Sequence, residues 1–210
     1  RAVGHDARSM HARLAGVVDD AEQHARHLAL AETAPSSAVA AALDRAAVAA
    51  SQRGSVTSAV ELARLAVDRT PEGDVAGLWE RRIALAKTLY AAGESGAAID
   101  QLAERDAACP PGRLRAEAEL LLTEIEYSTS TAQAAARAAR TALEHAADEP
   151  QLRARALLAL TVVDTAERDS VGRAREARLA LAAVDPPDDV TMAWALLTDA
   201  SGRILAGEPV

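Results

Sequence analysis

The sequence predicts an all-α protein whose helices stack in antiparallel pairs as a right-handed superhelix, an architecture known as an α-solenoid. Half of the 210 residues are hydrophobic, but only 2% are aromatic and Phe is absent, so alanine supplies much of the apolar content. Alanine is the strongest helix former, whereas the residues that favour strands are sparse here. The second observation is a repeat of nearly forty residues, which is typical of helical arrays.

Prolines and turn residues mark the ends of the predicted helices. Five prolines are separated by 36, 39, 40 and 36 residues, and a cluster of turn-forming residues lies between each pair. Proline is tolerated at a helix start but breaks a helix interior, so each unit is predicted to contain two helices. The prolines are Pro35, Pro71, Pro110, Pro150 and Pro186, and the clusters cover 53–55, 92–95, 128–130 and 168–170.

Eleven helices follow from these boundaries and from apolar residues spaced three or four apart. Several of them have capping residues at their ends: Asp74 and Asp188 at two starts, and Gly54 and Gly93 where the chain reverses. Capping boxes are predicted for Ser130 with Gln133 and for Asp19 with Glu22. The helices are expected at 7–17, 20–33, 36–52, 55–69, 75–92, 95–108, 112–127, 131–147, 150–166, 170–184 and 189–206.

The small and large apolar residues of 78–110 follow the spacing of a tetratricopeptide repeat, and those of 46–71 do so in part. The period is longer than the typical repeat of about 34 residues, so the units are described as tetratricopeptide-like. We expect Ala98 and Ala59 to lie at close contacts between helices. The matching residues are Leu85, Ala86, Leu89, Ala98, Leu102 and Pro110, then Ala46, Ala47, Ala50, Ala59, Ala63, Ala66 and Pro71, with Ala174 and Pro186 in the last unit.

Residues 11–31, 38–47 and 54–71 resemble a junction found in large LuxR-type ATP-binding transcriptional regulators. In that family, similar sequence lies at the boundary between the winged-helix part of a signalling ATPase and a following array of helical repeats. A DNA-binding helix-turn-helix lies at the far C-terminus. The resemblance implies a helical junction at 1–34 and tetratricopeptide-like repeats at 35–210. Because the chain starts with arginine within an apparent helix, we interpret it as a fragment of a longer protein.

The resemblance implies a regulatory arm that binds a partner protein or a small-molecule inducer on the repeat surface and controls an attached ATPase. A stand-alone tetratricopeptide-like adaptor is the alternative, and self-association is left open. The family's own motifs do not carry over. Residues 93–96 are too short and lack the lysine of a phosphate-binding loop, and no basic recognition helix is present.

The charge, the cysteine content and the length of the apolar runs indicate which partners and which cellular location to expect. The net charge is −8 and no basic run is longer than a few residues, so direct contact with nucleic acid is not expected. Cys109 is the only cysteine, which excludes an internal disulfide and favours a cytoplasmic location. No apolar run approaches the roughly 20 residues that a membrane span needs, so no membrane association is expected.

Three sets of residues are candidates for a metal-binding, a catalytic or an anion-binding site. His11, His24 and His27 lack a supporting cysteine or carboxylate, so they are interpreted as packing or solvent-facing histidines. The acidic set Glu117, Glu119, Glu124 and Glu126 is interpreted as a solvated helix face paired with Arg113 and Arg115. Arg137, Arg140, Arg153 and Arg155 are expected in solvent, although an arginine row can bind acidic groups. No catalytic, cofactor-binding or metal-binding residue is assigned, and the chain is not predicted to be an enzyme.

The aromatic residues and the cysteine leave alternatives open. Trp79, Tyr90, Tyr127 and Trp194 either fill gaps in an alanine-rich core or line a binding groove, where Trp and Tyr are favoured anchors. Cys109 lies beside Pro110 and Pro111 at an apparent helix end and is expected to be a small, half-buried residue. The alternative is a redox-sensing or catalytic thiol, but no nearby histidine or second cysteine would activate it.

Overall fold

Every regular element in the described part of the chain is an α-helix. The computed structural model describes residues 2–32, 34–163, 170–182 and 189–205, which contain twelve helices. Pro186, Asp188 and the predicted turn at 168–169 lie outside these residues. The helices are α1 (Ala2–Ala15), α2 (Ala21–Ala31), α3 (Ser37–Gln52), α4 (Val56–Asp68), α5 (Val75–Ala91), α6 (Ser95–Leu102), α7 (Arg105–Ala108), α8 (Arg113–Thr129), α9 (Ala132–His145), α10 (Pro150–Val163), α11 (Ser170–Leu181) and α12 (Asp189–Leu205).

The helices pack in neighbouring pairs within two compact units, residues 1–104 and 105–210. In the first unit contacts run in sequence from α1 to α6, and α2 also contacts α4. In the second unit they run from α8 to α12, and α10 also contacts both α8 and α12. The predicted all-α class and the pairing of successive helices are therefore confirmed. Among the described residues, no helix combines the length and apolarity required to cross a membrane.

The single helix predicted over 95–108 is wrong, because the chain tightens at 103–104 and separates α6 from α7. At this point the Ala103 amide donates to the Asp100 carbonyl at 3.3 Å, a bond across three residues instead of four. Side-chain hydrogen bonds then attach α7 to α8. The Arg115 guanidinium donates to the Arg105 carbonyl and to the Asp106 carboxylate, and neither bond can be foreseen from local helix propensity.

The helix starts show which capping predictions hold. Asp74 accepts from the Gly77 amide at 3.0 Å, as predicted. The two capping-box predictions are each displaced by one residue. Asp20 caps α2 by accepting from Gln23 at 2.8 Å, and Thr131 caps α9 by accepting from Ala134 at 3.1 Å. In both cases two polar residues stand side by side, and only the second immediately precedes the helix in extended backbone.

Gly54 and Gly93 end α3 and α5 as predicted. Their φ angles are +74° and +82°, in the left-handed region that glycine enters without a steric cost. The two ends share a bonding pattern in which the next amide reaches back five residues: Ser55 to Ala50 and Glu94 to Leu89, both at 2.9 Å. These are Schellman motifs, which satisfy the last helical carbonyls and reverse the chain.

Alanine forms most of the core, which lets neighbouring helices approach closely. In α9 the buried residues are all alanines, and they pack against leucines of α8 and α10. Buried leucines from α10 and α11 join Ala195 of α12 in a further cluster of the second unit. In the first unit Ala59 and Ala98 have 1% and 0% of their surface exposed, as expected for small residues at close contacts.

Replacing Ala98 by leucine is expected to destabilise the chain by about 1–3 kcal/mol, because three added carbon atoms would enter a site with no free surface. The measurement is chemical unfolding of both proteins. Ala91→Leu is the matched control, since Ala91 is exposed at the end of α5. An Ala98→Leu protein as stable as the parent would show that Ala98 does not lie at a close contact.

Candidate interaction groove

A groove of about 540 Å³ lies across α8, α10 and α12 in the second unit. Its floor is apolar and buried, and its rim carries two aromatic rings and two charged side chains. Such a volume and a mostly apolar lining with a few polar groups are typical of binding sites. The lining residues are Leu120, Thr123, Glu124 and Tyr127 from α8; Arg155, Leu158, Ala159, Val162 and Val163 from α10; and Val190, Thr191 and Trp194 from α12.

The lining residues occupy equivalent positions of successive helix pairs. Residues 124, 159 and 194 are spaced by 35, and so are residues 120, 155 and 190. In the first series the middle helix carries Ala159, whereas its neighbours carry Glu124 and Trp194. Ala159, the smallest of these three side chains, is partly buried and lines the groove on α10.

The four aromatic residues divide between the two predicted roles. Trp79 on α5 is 1% exposed, with the Arg82 guanidinium 5.2 Å from its ring centroid, so it fills a gap in the core. Tyr90 is half-buried. Tyr127 and Trp194 are 55% and 51% exposed and face the groove. The core-filling interpretation is therefore confirmed for Trp79, and Tyr127 and Trp194 are the members of the set that line a groove.

Polar groups at the groove come from all three helices. Glu124 and Arg155 are exposed on α8 and α10, and Thr191 is buried on α12. The Thr123 hydroxyl donates to the Glu119 carbonyl at 2.8 Å within α8, so it is already satisfied. Charged and apolar contacts are thus both offered to a ligand. Arg137 and Arg140 on α9 are exposed, as predicted, and do not line the groove.

The first unit carries a groove of about 450 Å³ between α3 and α5, which is lined by four charged residues: Asp44, Glu80, Arg81 and Lys87. Arg81 organises it by donating to the Asp44 carboxylate at 2.8 Å and to the Thr70 hydroxyl at 3.3 Å. Burial raises the pKa of the Asp44 carboxyl, and the Arg81 charge opposes that rise. Because these charged groups already pair with one another, this surface offers a ligand less than the groove in the second unit.

The interpretation of the acidic set as wholly solvated is wrong at Glu119. This side chain is 2% exposed, and its Oε1 accepts from the Nε atoms of Arg105 and Arg115, both at 2.9 Å. Arg115 is itself buried. Glu124 is exposed as predicted, and Glu117, which pairs with the exposed Arg113 at 2.9 Å, is partly exposed. The error at Glu119 arises because α8 contacts both α9 and α10, so that part of its polar surface is enclosed.

The three histidines connect α1 to α2. The Nδ1 atoms of His11 and His27 are 3.0 Å apart in a hydrogen bond, and their rings stack with centroids 5.1 Å apart. The His24 Nδ1 donates to the Ala15 carbonyl at 2.8 Å, which satisfies the last turn of α1. These contacts agree with packing histidines. In the described residues, no group of three or more potential ligands is arranged to hold a metal ion.

Cys109 is half-buried at the end of α7, as predicted. Its Sγ lies 3.6 Å from the Pro110 carbonyl oxygen. Burial raises the pKa of the thiol to about 11; Glu119 adds to the rise and Arg115 opposes it. The thiolate is the reactive form, so the surroundings of Cys109 suppress nucleophilic chemistry.

Cys109 in the folded chain is therefore expected to react about 100-fold more slowly with iodoacetamide at pH 8 than it does after unfolding in urea, because a thiol pKa near 11 in place of 9.0 leaves about one hundredth of the thiolate. Mass spectrometry of the alkylated fraction over time gives both rates. Similar rates for the folded and unfolded chain would contradict the buried position of the thiol.

The two tryptophans should respond differently to a quencher in solution. Trp194 is half-exposed and Trp79 is almost fully buried, so acrylamide is expected to quench mainly the Trp194 emission. Trp194→Phe should remove most of the quenching, and Trp79→Phe should retain it. If quenching were equally weak in the two variants, Trp194 would be buried and would not be available to a ligand in the groove.

Sequence reasoning selected Tyr127 and Trp194 as candidates but did not predict the groove that they line together with residues of α10. The spacing of 35 that relates residues 120, 155 and 190 would have indicated that α8, α10 and α12 place equivalent positions side by side. Comparison of the chain with protein-family models, curated proteins and solved structures finds no match. The groove is therefore interpreted from its own chemistry.

Proposed function

We propose that this chain is a tetratricopeptide-like binding scaffold, a right-handed superhelix of stacked helix pairs that receives a partner protein or a small-molecule inducer in the α8–α10–α12 groove. The observation that carries the proposal is the pair of half-exposed aromatic side chains, Tyr127 of α8 and Trp194 of α12, that line this groove. Trp and Tyr anchor binding surfaces because they bury a large area with few rotatable bonds.

The particular scaffold we propose is the regulatory arm of a LuxR-type ATP-binding transcriptional regulator. Its support is the resemblance of residues 11–31, 38–47 and 54–71 to the junction that precedes the repeats in that family. Residues 1–34 would then be the end of the winged-helix module and 35–210 the repeats. Binding in the groove would change the packing of successive helix pairs and bias the attached ATPase between a closed and an open state.

We propose no catalytic step and no cofactor for these 210 residues. DNA contact would belong to another module, because the net charge here is −8. A regulator of this kind works beside the chromosome, so the proposed location is the cytoplasm. Its partners are the inducer or protein in the groove and the chain's own ATPase and DNA-binding modules.

A stand-alone tetratricopeptide-like adaptor is the second candidate, and the same groove supports it because an adaptor also needs exposed aromatic anchors. Sequencing the gene on both sides of this segment separates the two candidates. A phosphate-binding loop upstream and a basic helix-turn-helix downstream are expected for the regulator. A start codon directly before Arg1 with a stop codon after Val210 would reject the regulator and leave the adaptor.

The role of the groove is tested in the full-length protein. Tyr127→Ala and Trp194→Ala are expected to weaken the response of ATP hydrolysis to the inducer or partner, because each removes an aromatic anchor from the groove. Arg140→Ala is the matched control, since Arg140 is exposed on α9 outside the groove. A response that is unchanged in both aromatic variants would reject the groove as the receiving site.

A further inference from the structure

A second groove of the second unit, of about 700 Å³, lies between α11 and α12, and we name it the α11–α12 groove. It shares no lining residue with the α8–α10–α12 groove. Helix α12 contributes Val190, Thr191 and Trp194 to that groove, and Met192 and Leu196 to this one. A volume of this size is within the range of pockets that hold small molecules.

The charged lining of the α11–α12 groove is mainly basic. Its described residues include three arginines, Arg175, Arg178 and Arg203, but only one carboxylate, that of Asp199. The α8–α10–α12 groove has one acidic and one basic residue in its lining, and the groove between α3 and α5 has two of each. The basic excess runs against the composition of the chain, which has 31 acidic and 23 basic residues. It favours an anionic ligand.

All three guanidinium groups belong to residues at or within one helical turn of a single ion pair. Arg178 donates to the carboxylate of Asp199, which is buried. Arg175 precedes Arg178 by three residues, and Arg203 follows Asp199 by four, so each lies on the same helix face as the member of the pair beside it. One carboxylate can neutralise only one of the three charges. Arginine binds carboxylates through two parallel hydrogen bonds, so the cluster is suited to a carboxylate ligand.

The remainder of the lining is apolar and lies towards one end of the groove. Leu179 and Leu196 are 67% and 48% exposed, and Met192 is half-buried. Helices α11 and α12 contact each other and are joined by only seven residues, so they pack antiparallel. The arginines of α11 precede its apolar lining residues, whereas Met192 and Leu196 precede Asp199 and Arg203 on α12. Antiparallel packing therefore brings the charged residues together at one end and the apolar residues at the other.

We propose that the α11–α12 groove binds a small amphiphilic carboxylate, a molecule with one anionic head group and an apolar tail. The head group accepts from the arginines around the Arg178–Asp199 pair, and the tail covers Leu179, Met192 and Leu196. Eight described residues line the groove, whereas a stable protein interface uses about 20 to 30 residues on each side, so the size favours a small molecule. The site is independent of the α8–α10–α12 groove.

The test is isothermal titration calorimetry of the 210-residue chain with sodium decanoate at concentrations up to about 1 mM. One molecule is expected to bind. Octanoate should bind about tenfold more weakly, because it buries two fewer methylene groups. Decyltrimethylammonium, which has a tail of the same length as decanoate and the opposite charge, should also bind at least about tenfold more weakly. Non-specific attraction to a chain of net charge −8 would instead favour this cation.

Arg175→Gln and Arg203→Gln are each expected to raise the Kd of decanoate about tenfold, because each removes a guanidinium group from the charged end. Two variants are the matched controls and should keep the Kd of the parent. Arg140→Gln removes an exposed arginine from α9, and Trp194→Ala removes a side chain of the α8–α10–α12 groove. Circular dichroism establishes that every variant keeps its helix content.

Three results would overturn the site. The first is decanoate that does not bind, or that binds no more tightly than the cation. If an oligo-glutamate peptide then binds, the arginines serve an acidic protein segment instead. The second is a decanoate Kd that is unchanged in both arginine variants. The third is binding that is weakened by Trp194→Ala and not by Arg175→Gln, which would place decanoate in the α8–α10–α12 groove.

Discussion

Replacing Glu119 by alanine is expected to destabilise the folded chain by about 3–5 kcal/mol. The carboxylate is 2% exposed and accepts from Arg115 and Arg105, so its removal leaves the buried Arg115 guanidinium without the acceptor at its Nε. Taking a charge out of water is costly, and the other carboxylate that pairs with Arg115, that of Asp106, is largely exposed and offsets that cost only in part. Chemical unfolding followed by circular dichroism measures the loss.

Glu117→Ala is the control, because it removes a carboxylate from the same helix at the same spacing to an arginine but in an exposed pair. That change should cost no more than about 0.5 kcal/mol. Replacing the buried pair together, as Arg115→Met with Glu119→Leu, should cost less than Glu119→Ala alone, since no unpaired ion is left inside. Equal effects of Glu119→Ala and Glu117→Ala would show that Glu119 is solvated after all.

Replacing Trp79 by alanine is expected to destabilise the chain by about 3–5 kcal/mol. Trp79 is 1% exposed in a core made mostly of alanine and leucine, so its removal leaves a cavity that small neighbours cannot fill. The contact between its ring and the Arg82 guanidinium, at 5.2 Å, is lost as well. The readout is again the free energy of unfolding.

Trp194→Ala provides the comparison, because it deletes the same side chain from a position that is 51% exposed. That change should cost less than about 1 kcal/mol. If the two alanine variants were equally stable, the core of the first unit would not be organised around Trp79.

The positions of the helices could be predicted because they depend on local chemistry. Gly54 and Gly93 end their helices through bonds to residues only three to five positions back, and Asp74 caps α5 through an amide three positions ahead. Such contacts are encoded within a single turn of the helix, so a short window of sequence contains them. Where two suitable residues are adjacent, as at Asp19 and Asp20, the local sequence does not determine which of them caps the helix.

The candidate site was only partly predictable. Tyr127 and Trp194 could be selected because large aromatic residues are rare in this chain. Their exposure, however, depends on which face α8 and α12 turn towards their neighbours. Glu119 shows the same limit, since it is two residues from the partly exposed Glu117 and is nevertheless enclosed by Arg105 and Arg115.

The sequence by itself determined that this protein is all-helical, that its helices pair in order and where most of them begin and end. Alanine content, helical spacing and recurrent turn residues act within a few positions of one another, so no distant contact is needed to express them. Only the tertiary structure decided that α6 and α7 are separate, that Glu119 and Arg115 are buried and that residues of α8, α10 and α12 together line a groove. These features depend on residues brought together from different helices, where enclosure by neighbours outweighs the polarity or size of any single side chain.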